Sequence, residues 1–321
     1  MALSLKELSK LDQTFAPGHR LCAGCAESII VRQVLMAAGD PVVVANATGC
    51  LEVATSIYPF TSWRVSWIHS AFENAASTIS GVETAYRSLV KQGKMEDVGM
   101  KFIVFGGDGA TYDIGLQFLS GALERGHRFL YVCLNNEAYM NTGIQRSGST
   151  PRGTWTTTSP VGEAIVGKRE YPKDMTAIVA AHGIPYVAQA VPSQWRDLMT
   201  KVQKAIAANG PTFINVLSSC NRGWRHDTSQ TIAVSRLATD TCVWALYEID
   251  HGVWKLNYKP KKKKPITEWF ESQGRFSHLL RPENHALVEQ LQEKVDKDWK
   301  ALAKAQEVTF MDDKVKLVAK K

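Results

Sequence analysis

Long apolar runs are missing from this chain of 321 residues. None approaches the roughly 20 residues that a bilayer-spanning helix requires, which excludes a helical membrane protein. The N-terminal stretch MALSLKELSKLDQTF has neither an apolar core nor a small-residue cleavage site. It does not read as a secretory leader, and the cytoplasm is the expected location. Internal repeats are absent as well, which argues against a solenoid or propeller. Cysteine is scarce, at six residues; in a cytosolic chain such cysteines point to metal or redox chemistry rather than disulfides. What is present is ordinary for a soluble globular protein: 45% hydrophobic and 21% charged residues. The net charge of +7 is concentrated late, in the run Lys259-Pro260-Lys261-Lys262-Lys263-Lys264 and the tail from Lys314 to Lys321. No aromatic-interleaved recognition module accompanies these lysines, so no nucleic-acid partner is expected. They read as a solvated loop or a strap on an acidic partner subunit.

Strand and helix signals alternate from about residue 25 to 220. The helix pattern Glu27 to Ala38 precedes a strand at Pro41 to Ala45, and a small-residue helix pattern covers Ser70 to Gln92. Next come strand Lys101 to Phe105, helix Ile114 to Arg125 and strand Phe129 to Leu134. A Gly/Ser/Thr/Pro-rich segment, Asn141 to Gly167, interrupts the series; so long a loop in a compact domain is usually functional or disordered. The series resumes with helix Met175 to His182, strand Tyr186 to Ala190, helix Ser193 to Ala208 and strand Thr212 to Leu217. This order predicts a doubly wound, mostly parallel α/β sheet. Beyond about residue 225 the strand signal fades. A helix at Leu237 to Leu246, the basic strap and an amphipathic helix from Glu283 to about Lys304 are expected there. The chain therefore divides into a domain, 1–225, and a C-terminal extension, 226–321, that wraps the domain or its partners.

Gly107-Asp108-Gly109 follows one apolar strand, and Asn135-Asn136 follows the next after 25 intervening residues. Both then sit where strands of an open parallel sheet end, the edge at which such sheets bind ligands. Asp108 and the Asn136 amide offer hard oxygens to Mg²⁺, which completes its shell with substrate phosphates. The two glycines let a diphosphate approach the backbone, and a helix starting near Asp113 turns its N-terminus to the anion. The pattern resembles the thiamine diphosphate-binding signature.

Cys22-Ala23-Gly24-Cys25 is a close pair opening a helix, whereas Cys50 and Cys220 each follow a strand. Four thiolates hold either a [4Fe–4S] cluster or tetrahedral zinc. A zinc ribbon brings two close pairs; here only one pair is close, which favours the cluster. Reading the cysteines as small buried hydrophobes suits Cys133 and Cys242, each in an apolar stretch, but accounts poorly for a C-x-x-C joined by cysteines at two strand ends.

Together these motifs resemble the 2-oxoacid:ferredoxin oxidoreductases, and within them the thiamine-binding β subunit of the pyruvate enzymes. The residues carrying the resemblance are Gly18 to Cys25, Asn46-Ala47-Thr48-Gly49-Cys50, Gly107-Asp108-Gly109 with Tyr112 to Gly115, and Asn135 to Gly143. Thr156 to Pro160, Cys220 with Gly223-Trp224, and Gln273-Gly274-Arg275-Phe276 extend it. Ala26 stands where the family commonly has glycine, and Ser219 and Asn221 flank Cys220 where prolines are frequent; no ligand is lost by either departure.

The resemblance implies that Cys22, Cys25, Cys50 and Cys220 bind a [4Fe–4S] cluster near thiamine diphosphate. It implies Mg²⁺ on Asp108, Asn136 and the Ala138 carbonyl. Gly49, Cys50, Gly107, Gly109 and Thr142 would lie against the cofactor, with Asn141 facing the reacting carbons. The implied reaction is reversible oxidative decarboxylation of a 2-oxoacid, pyruvate first, to acyl-CoA and CO₂, with one-electron transfer to the proximal cluster. Coenzyme A and ferredoxin would be its partners, together with α, γ and ferredoxin-like δ subunits. The α subunit would bring the glutamate that meets the aminopyrimidine and the arginine that holds the substrate. Glu52, Glu73 and Glu137 are expected to have structural or supporting roles. His69 and His182 read as satisfied hydrogen-bonding residues. His19 and Arg20 are placed to hydrogen-bond to the cluster loop, or else to be solvated. Oxalate or another 2-oxoacid is the alternative substrate; a non-redox thiamine lyase or a zinc-stabilised binding subunit is the alternative class.

Overall fold

A computed structural model describes residues 4–318, with side chains through Glu307. The last lysines of the basic tail, and every side chain from residue 308 onward, lie outside the described residues. After a short helix α1 (Leu5–Leu8), the chain runs α2 (Ala26–Ala38), β1 (Val42–Asn46), α3 (Cys50–Thr55), β2 (Ser66–His69) and α4 (Ala75–Lys91). It continues through β3 (Lys101–Gly107), α5 (Leu116–Glu124), β4 (Leu130–Asn135), α6 (Met175–Ala180), β5 (Tyr186–Ala190), α7 (Trp195–Ala207) and β6 (Thr212–Leu217). Then come α8 (Asn221–Trp224), α9 (Thr231–Asp240), β7 (Tyr247–Asp250), β8 (Val253–Leu256), α10 (Ile266–Glu271) and the long α11 (His285–Val318).

One eight-stranded sheet, ordered β2-β1-β3-β4-β6-β5-β7-β8, spans the molecule. β1 to β6 are mutually parallel, and β7 and β8 add antiparallel at one edge. The central strands are buried along their lengths because helices cover both faces, so they read as continuous apolar runs. α2 and α7 pack on one face, with Ile30, Val34, Leu198 and Val202 fully buried. α4, α5 and α6 cover the other face through Ile79, Leu119 and Val179. The doubly wound architecture expected from the alternation is present. No described helix is long and apolar enough to cross a membrane.

Several local expectations change. The short strand β2 and helix α3 had no clear signal, since four strand residues and six helical ones fall below the length at which periodicity shows. Helical backbone after Asp108 begins at Gly109 as a π-helical turn rather than near Asp113. The sheet does not stop near residue 225, because β7 and β8 form a hairpin across His251-Gly252, both at positive φ as a tight primed turn requires. The helix expected at Leu237 to Leu246 lies earlier, at Thr231–Asp240, and Cys242 sits in a turn at φ 61°, though buried as expected. In the basic strap, Lys263 pairs with Asp296 and Lys264 with Glu268, so two of its charges are neutralised within the chain. Lys259, Lys261 and Lys262 remain exposed.

Candidate active site

The register fixes where the motifs meet. Asn46 pairs with Phe105, Gly107 with Leu134, and Asn135 with Leu217, so β1, β3, β4 and β6 end along one edge. The chain leaves β1 toward β2 on one side and proceeds from β3 to β4 on the other. That reversal opens a crevice between β1 and β3 at the carboxyl ends, the usual ligand position in such sheets. The loops 46–50, 107–110 and 136–142 enclose a cleft there of about 720 Å³, open to solvent. Gly49, Cys50, Gly107, Asp108, Gly109, Asn136, Ala138, Asn141 and Thr142 all line it. A methyl group at Gly49 or Gly107 would meet no atom within 4 Å, so both glycines leave room in the cleft rather than in the core. At Gly109 a methyl would strike the Tyr139 ring at 2.4 Å.

Asp108 is fully buried and accepts hydrogen bonds from the Asn136 N–H at 3.2 Å and from the Ser147 hydroxyl. Burial pushes its pKa up to about 8, although both hydrogen bonds work the other way. A buried carboxylate with no salt bridge among the described residues is what a divalent cation site presents when read from the protein alone. The Asn136 side chain supplies a second hard oxygen, while its Nδ2 donates to Glu27 Oε1 at 3.2 Å. These donors suit Mg²⁺, which takes few protein ligands. The long segment after the Asn pair explains its burial here. Ser149 Oγ donates to Asn135 Oδ1 at 2.8 Å and Thr150 Oγ1 to the Glu137 carbonyl at 2.6 Å. Lys168 Nζ, itself buried, donates to the carbonyls of Ser147 and Thr150, locking that turn under the motif.

A second cavity, of about 740 Å³, adjoins the first. Cys22, Cys25, Cys50 and Cys220 all line it. Cys22 is exposed at its mouth and the other three are half-buried. Gly24, at φ 77°, turns the chain between the paired cysteines; a side chain there would collide with the Thr228 backbone at 2.4 Å. Burial raises the pKa of Cys25, Cys50 and Cys220, and neighbouring thiolates and Glu27 add to the rise. Cys220 Sγ accepts an N–H from Gly223 at 3.3 Å, the kind of bond that stabilises a ligating sulfur. Ser218 Oγ and Asn221 Oδ1, from cavity-lining residues, are buried without a protein partner. No three His, Cys, Asp or Glu donors among the described residues converge where one ion would sit.

Glu27, Cys50, Asn136, Met140 and Asn141 line both cavities and so form the wall between them. Glu27 was not legible as a site residue. It is fully buried, its Oε2 has no partner, and burial raises its pKa to about 7. An acidic residue on the apolar face of α2, two positions after Cys25, was the available signal. Ser147 and Arg275, which act on Asp108 and Glu137, were also missed as partners. Of the other carboxylates, Glu52 accepts from Ser56 and Glu137 pairs with Arg275, while Glu73 lies outside both cavities. His69 Nδ1 donates to the Asn46 carbonyl and its Nε2 pairs with Thr48 Oγ1, and His182 bonds Ser120 and the Ile178 carbonyl. His19 stacks on Phe15 with Nδ1 unpartnered, and Arg20 lines the cysteine cavity.

Residues 47–216 match the thiamine pyrophosphate enzyme C-terminal TPP-binding domain. Of the four cysteines only Cys50 falls inside that match. Pyruvate synthase subunit PorB of Thermotoga maritima is 52% identical over 95% of both chains. The subunit of the same name from Methanocaldococcus jannaschii is 52% identical over 91% of this chain and 97% of its own. Ketoisovalerate oxidoreductase subunit VorB of Pyrococcus abyssi is 41% identical, over 92% of this chain and 94% of its own. Among solved structures, 2-oxoglutarate:ferredoxin oxidoreductase of Magnetococcus marinus shares the fold. Its TM-score is 0.50 at 21% identity, covering 71% of this chain and 77% of that one.

Proposed function

The chain belongs to the thiamine diphosphate-dependent 2-oxoacid:ferredoxin oxidoreductases, as a β subunit of the pyruvate synthase type, and from that premise we propose its chemistry and the residues that perform it. The reaction is the oxidative decarboxylation of pyruvate to an acyl-CoA and CO₂, run in either direction. Thiamine diphosphate supplies the carbanion chemistry, and a [4Fe–4S] cluster accepts the electrons singly. The single observation that carries this reading is the shared wall: a cleft suited to a diphosphate and a four-cysteine cavity meet at Cys50, Asn136 and Asn141.

Asp108, the Asn136 amide oxygen and the Ala138 carbonyl would hold Mg²⁺. Ser147 and the Asn136 N–H orient the Asp108 carboxylate, so its geometry is set before the ion arrives. Gly49 and Gly107 keep the backbone bare where a diphosphate would lie, and the N-terminus of the π-helical turn at Gly109 would offer it N–H groups. Asn141, exposed on the wall between the two cavities, would face the reacting carbons. Leu51, Phe72, Leu134 and Met140 make the cleft largely apolar, which keeps water from a reactive carbanion. Cys22, Cys25, Cys50 and Cys220 would ligate the cluster across the wall. The glutamate for the aminopyrimidine and the arginine for the substrate carboxylate come from an α subunit. γ and ferredoxin-like δ subunits, coenzyme A and ferredoxin complete the reaction.

A branched-chain 2-oxoacid is the alternative substrate, because one relative bears the ketoisovalerate name. A non-redox thiamine lyase leaves the four-cysteine cavity without a role. The test is viologen reduction by the anaerobically isolated complex, with coenzyme A, across a panel of 2-oxoacids. The expected result is the largest kcat/KM on pyruvate. Reduction only with ketoisovalerate overturns the substrate, and none with any 2-oxoacid overturns the reaction.

A further inference from the structure

Arg275 lies 138 residues along the chain from Glu137, the carboxylate it pairs with, and is 2% exposed behind the site. Its Nη2 donates to Glu137 Oε2 at 2.6 Å and its Nε to Gln273 Oε1 at 2.9 Å. The guanidinium stacks over Trp224, with Cζ 3.9 Å from the ring centroid. Trp224 stands one helical turn after Cys220, whose carbonyl accepts its N–H at 2.8 Å. The same indole donates Nε1–H to the Asn136 carbonyl at 2.7 Å. One ring thus joins the cysteine turn to the metal loop, and a permanent cation covers its face. Arg275 interacts electrostatically with both Cys220 and Asp108. Glu137 holds its end of the pair at φ 66°, a conformation uncommon outside glycine. Burying two charges is a weak way to stabilise a fold, since hydrophobic residues of similar volume often serve as well or better. The pair's position between two cofactor sites offers another reason for it.

We propose that Arg275 is a positioning residue for electron acceptance: held by Glu137 over Trp224, one turn after Cys220, its positive charge raises the reduction potential of the cluster. This rests on the cluster reading given above. Reduction adds one negative charge to the cluster, and a fixed cation nearby stabilises the reduced form. With an effective dielectric of about 20 and a separation on the order of 10 Å, the effect is about tenfold on the reduction equilibrium. For one electron that corresponds to about 59 mV. Glu137 acts in the opposite sense and is positioned nearer the metal loop.

An EPR-monitored redox titration of the whole complex, prepared anaerobically, tests this. The relevant signal is identified by its loss in Cys220→Ser, and iron and sulfide are counted in each preparation. Arg275→Met is expected to move the midpoint about tenfold toward harder reduction, Glu137→Gln to move it toward easier reduction, and Arg275→Lys to leave it near wild type. An unmoved midpoint in Arg275→Met at full iron content overturns the inference and leaves the cluster reading standing. Should Arg275→Met fail to fold, Glu137→Gln carries the test, and a midpoint that stays put or moves the other way overturns the inference. A Cys220→Ser complex that keeps every signal and all the iron of wild type overturns both.

Discussion

Gly107 and Gly109 flank the same aspartate, yet a methyl group would meet different surroundings at each. At Gly107 it enters the open cleft, and at Gly109 it meets the Tyr139 ring. Gly107→Ala is therefore expected to leave the thermal stability of the apoprotein within about 0.5 kcal/mol of wild type, while weakening thiamine diphosphate at least tenfold by calorimetry. Gly109→Ala is expected to cost about 1 to 3 kcal/mol of stability, because the ring must shift to admit the methyl. Equal affinity in Gly107→Ala and wild type would place the diphosphate elsewhere. At this scale the sequence was informative where residue type itself carries the chemistry. Asp108, Asn136, Cys50 and Cys220 stand out as candidate ligands by their atoms and their place after strands, and Cys22 and Cys25 by their C-x-x-C spacing. Glu27, Ser147 and Arg275 do not, because each gains its role from a partner 109, 39 or 138 residues away.

Among the elements, the parallel core was legible because strands buried on both faces must be apolar throughout, and helices between them keep a 3.6-residue period. β7 escaped notice since it carries Glu248 in a four-residue strand. That carboxylate is nevertheless 2% exposed. It accepts from Tyr186 on β5, from Lys204 on α7 and from Asn257, clamping the added hairpin to the core. Burial opposes its ionisation, but these donors outweigh burial and bring its pKa to about 2 from an ordinary 4.5. A depressed carboxylate stabilises the fold above its unfolded pKa and loses that contribution as pH falls through the folded one. The window here runs from about 4.5 down to about 2. Glu248→Gln is expected to lower stability near neutral pH by on the order of 3 kcal/mol. In urea titrations the gap to wild type should shrink as pH falls below about 4.5. A gap that holds constant across that window would show that the pairing contributes through shape rather than charge.

Across the whole molecule, the residues beyond 225 do more than lie on a finished domain. Trp269, Phe270, Phe276 and Leu291 form a third apolar cluster with Trp224, Val191 and Leu217 from the sheet's carboxyl edge. Through Arg275 and Trp224 this cluster backs the loop of Asn136 and the turn of Cys220 together. Long-range packing of this kind leaves no periodic trace, which is why the sequence indicated an extension packing on the domain or its partners but not which residues it supports. The same arrangement sets two cavities side by side, one with carboxylate and amide oxygens and bare glycines, one with four thiols. Metal, sulfide and thiamine analysis of the anaerobically isolated complex, expressed per β chain and repeated with Cys50→Ser, tests that juxtaposition most directly. The expected result is one thiamine diphosphate and about four irons with four sulfides assignable to this chain, the iron and sulfide lost in Cys50→Ser. Zinc in place of iron, or full iron retained without Cys50, would contradict the account.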